Sequence, residues 1–312
     1  MDIDLVYMWV DGSDPNWIAK YNAYFGKTEE DNEINCKGRT ADNEELKYSL
    51  RSMEKYAPWI RKVFIVTNEQ TPDWLDTSNP KVEIIDHKAI VPEEHTPCFN
   101  PRVVEYCLYK IPGLSERFIY ANDDMFLNKP LTPEDFFAPD GLPIIRLARR
   151  PFRKLSLLFK EKVQKKPLHN HNQAIRNAAE LAEKKFGIYY NGKPHHNIDA
   201  YLKSDWKQLV EETFKNEFAS VMNNNLERSS TDIERVIYAY TVLNQKRGYL
   251  QHSTRKIAFH AHIDNDRHYE HFEKYNPMMF CMNDSQYATD SDRERARAFL
   301  EERFPWKSEF EK

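Results

Sequence analysis

Two adjacent carboxylates, Asp123 and Asp124, stand just after the apolar run Phe118-Ile119-Tyr120-Ala121, with Asn122 between. In open α/β sheets, ligands collect beyond the carboxyl ends of the strands. Paired carboxylates there suit a hard divalent cation, which prefers oxygen ligands and bridges diphosphate oxygens. A polar turn capping the next segment would use the same residues. Asp11-Gly12-Ser13-Asp14-Pro15 follows the first apolar run in the same way. It makes a good turn, and it occupies the first strand-to-helix connection, where α/β proteins often hold a nucleotide.

A third cluster gathers Arg39, Asp42, Asn43, Glu44 and Arg51. A helix N-cap explains Asp42 with Glu45 three residues on but leaves Arg39 unexplained. Histidines come as His169/His171, His195/His196 and His260/His262, without cysteine or carboxylate at zinc-like spacing. His195-His196 leads the three pairs, because an imidazole near neutrality can act as general base or steady a phosphoryl oxygen. Arg228-Ser229-Ser230-Thr231-Asp232 reads as a helix start capped by Ser230 or Thr231, with an arginine able to grip a phosphate bidentately. Asn283-Asp284-Ser285 scans as a glycosylation acceptor, a reading set aside for a chain expected not to be secreted.

The elements that must position these groups alternate. Residues 3–10, 63–67, 82–85 and 118–121 read as strands; 43–56 and 101–110 read as helices. The alternation predicts an α/β fold with an open, mostly parallel sheet over residues 1–145. Residues 146–166 carry nine basic side chains against one acid, Glu161. This stretch is either a solvated loop or a surface for polyanionic acceptor or anionic lipid. Helical periodicity dominates 173–247, clearest at 199–215 and 231–246, so 146–247 reads as a basic segment with a helical insertion. Residues 248–312 are expected to return to the core, Tyr249 to His262 rejoining the sheet.

With 312 residues and a formal charge of −4, the chain can bury a sizeable core and lacks the charge of a nucleic-acid binder. Cys36, Cys98, Cys107 and Cys281 form no CxxC pair and read as reduced thiols. Without a leader pattern or a run of about 20 apolar residues, the expectation is a cytoplasmic chain, peripheral at most at the inner face of the membrane.

Read together, four blocks resemble the Stealth family: Ile3 through Pro15; RTADNEELKYSLRSMEKYAPWIRKVFIVTNEQTPDWL continuing to NDDMFLNKPLTPEDFF; KPHHNIDAYLK with RSSTDIERVIYAY; and FCMNDSQ. They fall in the family's order over nearly the whole chain. The resemblance implies a Rossmann-like, GT-A-type nucleotide-sugar transferase core, a UDP-sugar donor, and Mg²⁺ or Mn²⁺. It implies attack by a glycan hydroxyl of an oligosaccharide or polysaccharide acceptor on the sugar-bearing phosphorus, with UMP leaving, in bacterial surface-polysaccharide synthesis. It places Asp123, Asp124 and Asp284 at the metal, and Asp11, Gly12, Asp14, Arg39, Asn43, Asn68 and Asn283 around the donor. The catalytic set would be Asp42, Arg228, Asp232 and His195 or His196. Here Lys193-Pro194-His195-His196 departs from the family's His-x-Pro order, leaving both histidines as candidates.

Overall fold

Strand β1, Ile3–Met8, puts Ile3, Leu5 and Tyr7 into one apolar cluster and Val6 into another, all fully buried. A parallel strand covered by helices on both faces has this near-continuous apolar character. The computed structural model describes residues 1–25 and 43–312. Its further strands are β2 (Val63–Thr67), β3 (Val82–Asp86), β4 (Arg117–Asn122), β5 (Met125–Leu127), β6 (Ile144–Ala148), β7 (Lys193–Pro194), β8 (Asp199–Leu202), β9 (Tyr249–Ser253), β10 (Ala258–His262) and β11 (Met279–Asn283).

The central sheet runs β3-β2-β1-β4-β8, the first four strands parallel and β8 antiparallel at the edge. The chain leaves β1 toward β2 and β3, then returns on its other side as β4. That reversal is the topological switch of Rossmann-like sheets, and a crevice opens beside it. One face packs on the helices Pro101–Cys107, Asn170–Phe186 and Val236–Asn244. The other packs on the helix Glu45–Tyr56 and on a second sheet, β10-β11-β5. A third, β7-β6-β9, packs against β8 and joins the first apolar cluster through Ile145 and Leu147.

The α/β class and the first four strands are as expected; several later readings need correcting. Residues 199–202 form β8, because pairing with β4 overrides the helical pattern that resumes at Lys203. The helix expected over 231–246 starts at Val236 and has no side-chain cap. Ser229 and Asp232 instead close a turn ahead of it, Asp232 N–H donating to the Ser229 carbonyl. Tyr249 to His262 supplies β9 and β10 to the two smaller sheets, not to the central one. The helix at 45–56 has Glu44, in the left-handed conformation, at its N-cap position. Asp42, Arg39 and Cys36 lie outside the described residues. Cys98, Cys107 and Cys281 are buried free thiols. No helix among the described residues is long and apolar enough to cross a membrane.

Candidate active site

A cleft of about 1450 Å³ opens at the carboxyl ends of β1 and β4. Met8 pairs with Asn122 across these strands, so Trp9 and Val10 leave the sheet beside Asp123 and Asp124. Seven of the chain's eleven histidines line the cleft: His87, His169, His171, His195, His196, His260 and His262. That share makes the cleft, rather than the surface at large, the place where imidazole chemistry is concentrated.

One wall is acidic. Asp124 N–H donates to Asp123 Oδ1 at 3.1 Å. Cys281 Sγ donates to Asp124 Oδ2 at 3.1 Å, while Asp124 Oδ1 is buried with no hydrogen-bond partner among the described residues. Burial pushes the Asp124 carboxyl up to about 6. Strand register brings the next groups in: His260 pairs with Cys281, which pairs with Met125. The donor atoms of His196, His260 and Cys281 lie within 4.8 Å of one another, and His260 Nε2 is a second buried polar atom without a partner. His196, His260 and Cys281 could therefore hold a metal ion, and the buried Asp124 carboxylate adjoins them through its bond with Cys281.

The opposite wall is cationic. Glu105 and Glu234, both buried, hold Arg102 at 2.9 and 3.4 Å and Arg235 at 3.0 and 3.9 Å; Arg235 also faces Asp199 at 3.5 Å. Its guanidinium lies 4.9 Å above the Tyr120 ring. Arg102, Arg228, Arg235 and Lys193 all line the cleft. Burial is the largest influence on Glu105 and opposes its charge. The neighbouring Arg102 and Arg235 overcome it and hold the carboxyl below its usual range.

The two adjacent histidines part company here. His195 is buried, its Nε2 2.9 Å from Asp199 Oδ1 and its Nδ1 without a partner among the described residues. His196 adopts φ +49°, a left-handed backbone that is uncommon for a non-glycine residue and costs of order 1 kcal/mol. Its ring stands 5.0 Å from that of His260 and 6.4 Å from that of His171.

The remaining expected residues divide. Asn68, Arg228 and Asn283 line the cleft. Asp284 lines it too, but Arg293 takes both its oxygens, at 2.7 and 3.1 Å, and Ser285 N–H adds a third bond. Asn43 is buried behind, bonded to Glu45 and Asp284. Asp11 caps its own turn through Ser13, and Asp14 caps the helix Pro15–Phe25 through Asn16, so with Gly12 they sit outside the lining. Asp232 is buried, bonded to Asn100 and Ser229.

Arg102, Glu105 and Arg235 belong to no motif in the sequence, and His171, His260 and Cys281 are visible there without a spacing that sets them above His195-His196. The usable signal was charge inside apolar runs, as in Val103-Val104-Glu105-Tyr106 and Ile233-Glu234-Arg235-Val236. Such charges are rarely buried unless paired.

Stealth protein conserved region 1 matches residues 1–29, and conserved region 2 matches residues 39–145. The chain belongs to the Stealth family. In this Stealth chain the two regions supply β1 and β4 with the loops after them, Asp123 and Asp124 included, as well as Arg102 and Glu105, whereas His260 and Cys281 lie outside them. Capsular polysaccharide phosphotransferase SacB of Neisseria meningitidis serogroup A is 32% identical over 323 residues, covering 100% of the chain and 57% of that protein. Exopolysaccharide phosphotransferase cps2G of Lactiplantibacillus plantarum is 49% identical over 142 residues, 46% of the chain and 41% of that protein. The chain thus spans about half the length of these curated relatives. Among solved structures, galactosyltransferase LgtC aligns at TM-score 0.45 and 12% identity, covering 97% of the chain and 95% of that one, a likeness too distant to argue from.

The histidines predict a pH response. Burial holds His87 and His260 down to about 4; His171 is held down to about 2 by burial and then by Arg102. Each is neutral when folded, whereas unfolded histidine takes a proton near pH 6.5. The stability contributed by their neutral forms is present above pH 6.5 and is lost as pH falls toward 4, at roughly 1.4 kcal/mol per pH unit for each. Asp124, with its raised carboxyl, opposes this below about 6 but is outnumbered. The melting temperature is expected to drop steeply between pH 6.5 and 4, as read by differential scanning fluorimetry. A flat profile would mean these rings are not buried neutral.

Proposed function

We propose that the chain is a cation-assisted transferase of sugar-1-phosphate. It moves a hexose-1-phosphate or N-acetylhexosamine-1-phosphate from a UDP-sugar to a hydroxyl of an oligosaccharide or polysaccharide, in capsule or other cell-surface polysaccharide synthesis. The observation that carries the reading is the pair of opposed walls, carboxylate with imidazole on one side and arginine on the other, at the switch point of the sheet. A diphosphate needs that environment, because phosphoryl transfer asks mainly for positioning and charge stabilisation. The names of the related capsular and exopolysaccharide phosphotransferases point the same way.

In this mechanism Arg228, Arg235, Arg102 and Lys193 receive the donor's phosphates, with Asn68 and Asn283 at the edges of its site. Asp123, Asp124 and His260 would hold the divalent cation, Mg²⁺ or Mn²⁺, which would supply positive charge to offset that of the diphosphate. The acceptor hydroxyl oxygen bonds to the β-phosphorus, the bond from that phosphorus to the UMP oxygen breaks, and the hydroxyl proton passes to His196.

His196 starts neutral, held well below its usual range by burial and then by His260 and Arg235. Donor phosphates seated on the arginines cancel part of that positive field, making His196 a better proton acceptor once the donor is bound. His195, fixed by Asp199, positions the loop. Asp284, already neutralised by Arg293, braces Asn283 rather than the cation. Asp232 holds the Ser229 turn next to Arg228. Asp11, Gly12 and Asp14 shape the turn above the nucleotide, while Arg39 and Asp42 are assigned to the pyrophosphate side from the family resemblance alone. The enzyme would work at the inner face of the cytoplasmic membrane, with capsule-assembly proteins as neighbours.

The product tests this reading. It should carry one phosphodiester phosphorus per transferred sugar by ³¹P NMR and resist phosphomonoesterase. A phosphorus-free glycoside would contradict it.

A further inference from the structure

The helix Arg153–Lys162 turns its apolar side outward. Arg153 and Leu157 are buried against the body. Phe152, Leu155, Phe159 and Val163 are 72%, 65%, 53% and 63% exposed. At about 100° per residue, these four positions fall within roughly 80° of arc, a single stripe. Scattered exposed apolar side chains need no explanation, but a stripe of four on a helix whose other face is already packed does.

Around that stripe positive charge predominates. Arg149, Arg150, Lys160, Lys162, Lys165 and Lys166 are exposed. Glu161, the sole acid of the stretch, pairs with Arg176 at 2.9 Å. Lys154 joins Glu183 and ties the stripe to the helix Asn170–Phe186, which adds Lys184 and Lys185 in its last turn. Arg149 and Arg150 also line the cleft, so the stripe lies next to its mouth.

We propose that this helix is a docking surface for a bilayer of anionic phospholipid. The four apolar side chains enter the boundary between headgroups and acyl chains, and the flanking lysines and arginines meet the headgroup phosphates. Helices that lie in a membrane interface combine these same two features, and their attachment is reversible and salt-sensitive. A polyanionic glycan would account for the cations but not for two exposed phenylalanines on one stripe. Docking here would set the cleft at the membrane surface, where an acceptor with a lipid anchor would be presented. The proposal stands whether or not the reaction is the one argued above, because its readout is binding.

Co-sedimentation of the full chain with vesicles tests it. Binding is expected to vesicles of phosphatidylcholine mixed with phosphatidylglycerol, to be weak on phosphatidylcholine alone, and to fall as salt is raised. The combined variant Leu155→Ser, Phe159→Ser, Val163→Ser alters only exposed positions. It should keep its melting temperature and its turnover of a soluble acceptor while losing at least about tenfold in vesicle affinity, as expected for three apolar contacts removed. Phe159→Trp should be quenched by brominated phospholipid.

Failure of the parent chain to prefer anionic vesicles would overturn the proposal, as would undiminished binding by the triple variant. A parent dimer that the triple variant converts to monomer, with no vesicle binding by either, would assign the stripe to a second copy instead. Salt-sensitive binding of a soluble polyphosphodiester glycan without vesicle binding would assign the cations to the acceptor.

Discussion

Asp124→Asn is expected to abolish turnover to within assay limits, a loss of at least about 10³-fold, while the fold persists. A cation at a phosphoryl centre supplies several kcal/mol of charge stabilisation, and each 1.4 kcal/mol is a factor of ten. Asparagine keeps the shape and can still accept from Cys281 Sγ, so nothing in the packing need move. The metal-free variant should melt no lower than the parent, because a buried carboxyl already pushed up to about 6 resists its charge at neutral pH. Added Mn²⁺ should raise the parent's melting temperature through linkage and leave the variant's unchanged. A variant that folds, still answers to Mn²⁺ and keeps most of its turnover would remove Asp124 from the cation.

Arg235→Met should have the largest effect on stability. Arg235 is 6% exposed and stands among Glu105, Glu234 and Asp199, with Tyr120 beneath it. Removing it leaves Arg102 to balance carboxylates that no longer have their second partner. Breaking a buried ion pair from one side costs about 3–5 kcal/mol, since the remaining charge stays desolvated. Donor affinity should fall as well, because the arginine wall loses its deepest cation. Arg235→Lys should recover part of the stability, as it restores the charge without the planar fork that reaches two carboxylates at once. Chemical denaturation gives the number. An Arg235→Met variant as stable as the parent would mean the network is not holding the wall together.

The parts of this cleft that could be read from the sequence are those made by neighbours in the chain. β1 and β4 are short apolar runs ending in polar turns, and Asp123-Asp124 is attached to one of them, so both the strand and its charge were legible. The acidic wall was only half legible. Cys281 lies 157 residues from Asp124, and the register of β10-β11-β5 brings it and His260 there. Likewise Arg235 meets Glu105 across 130 residues of chain.

His195 and His196 are neighbours in sequence and both line the cleft, yet one is held on Asp199 and the other stands beside His260. The difference lies in the φ of His196, which the residue type does not announce. Asp11 and Asp14 form the turn that their residue types announce, bonding Ser13 and Asn16, with Gln70 adding a bond to Asp14. Asp284 resembled a ligand until Arg293, nine residues on, supplied its counter-charge.

A UDP-sugar labelled with ³²P at its β-phosphate, given with an oligosaccharide acceptor and Mn²⁺, reports directly which bond breaks. Sugar-1-phosphate transfer predicts that the label moves into the glycan product, that unlabelled UMP is released, and that both cease on chelation. Label recovered in UDP, with a label-free glycan, would contradict the account and make the reaction a glycosyl transfer.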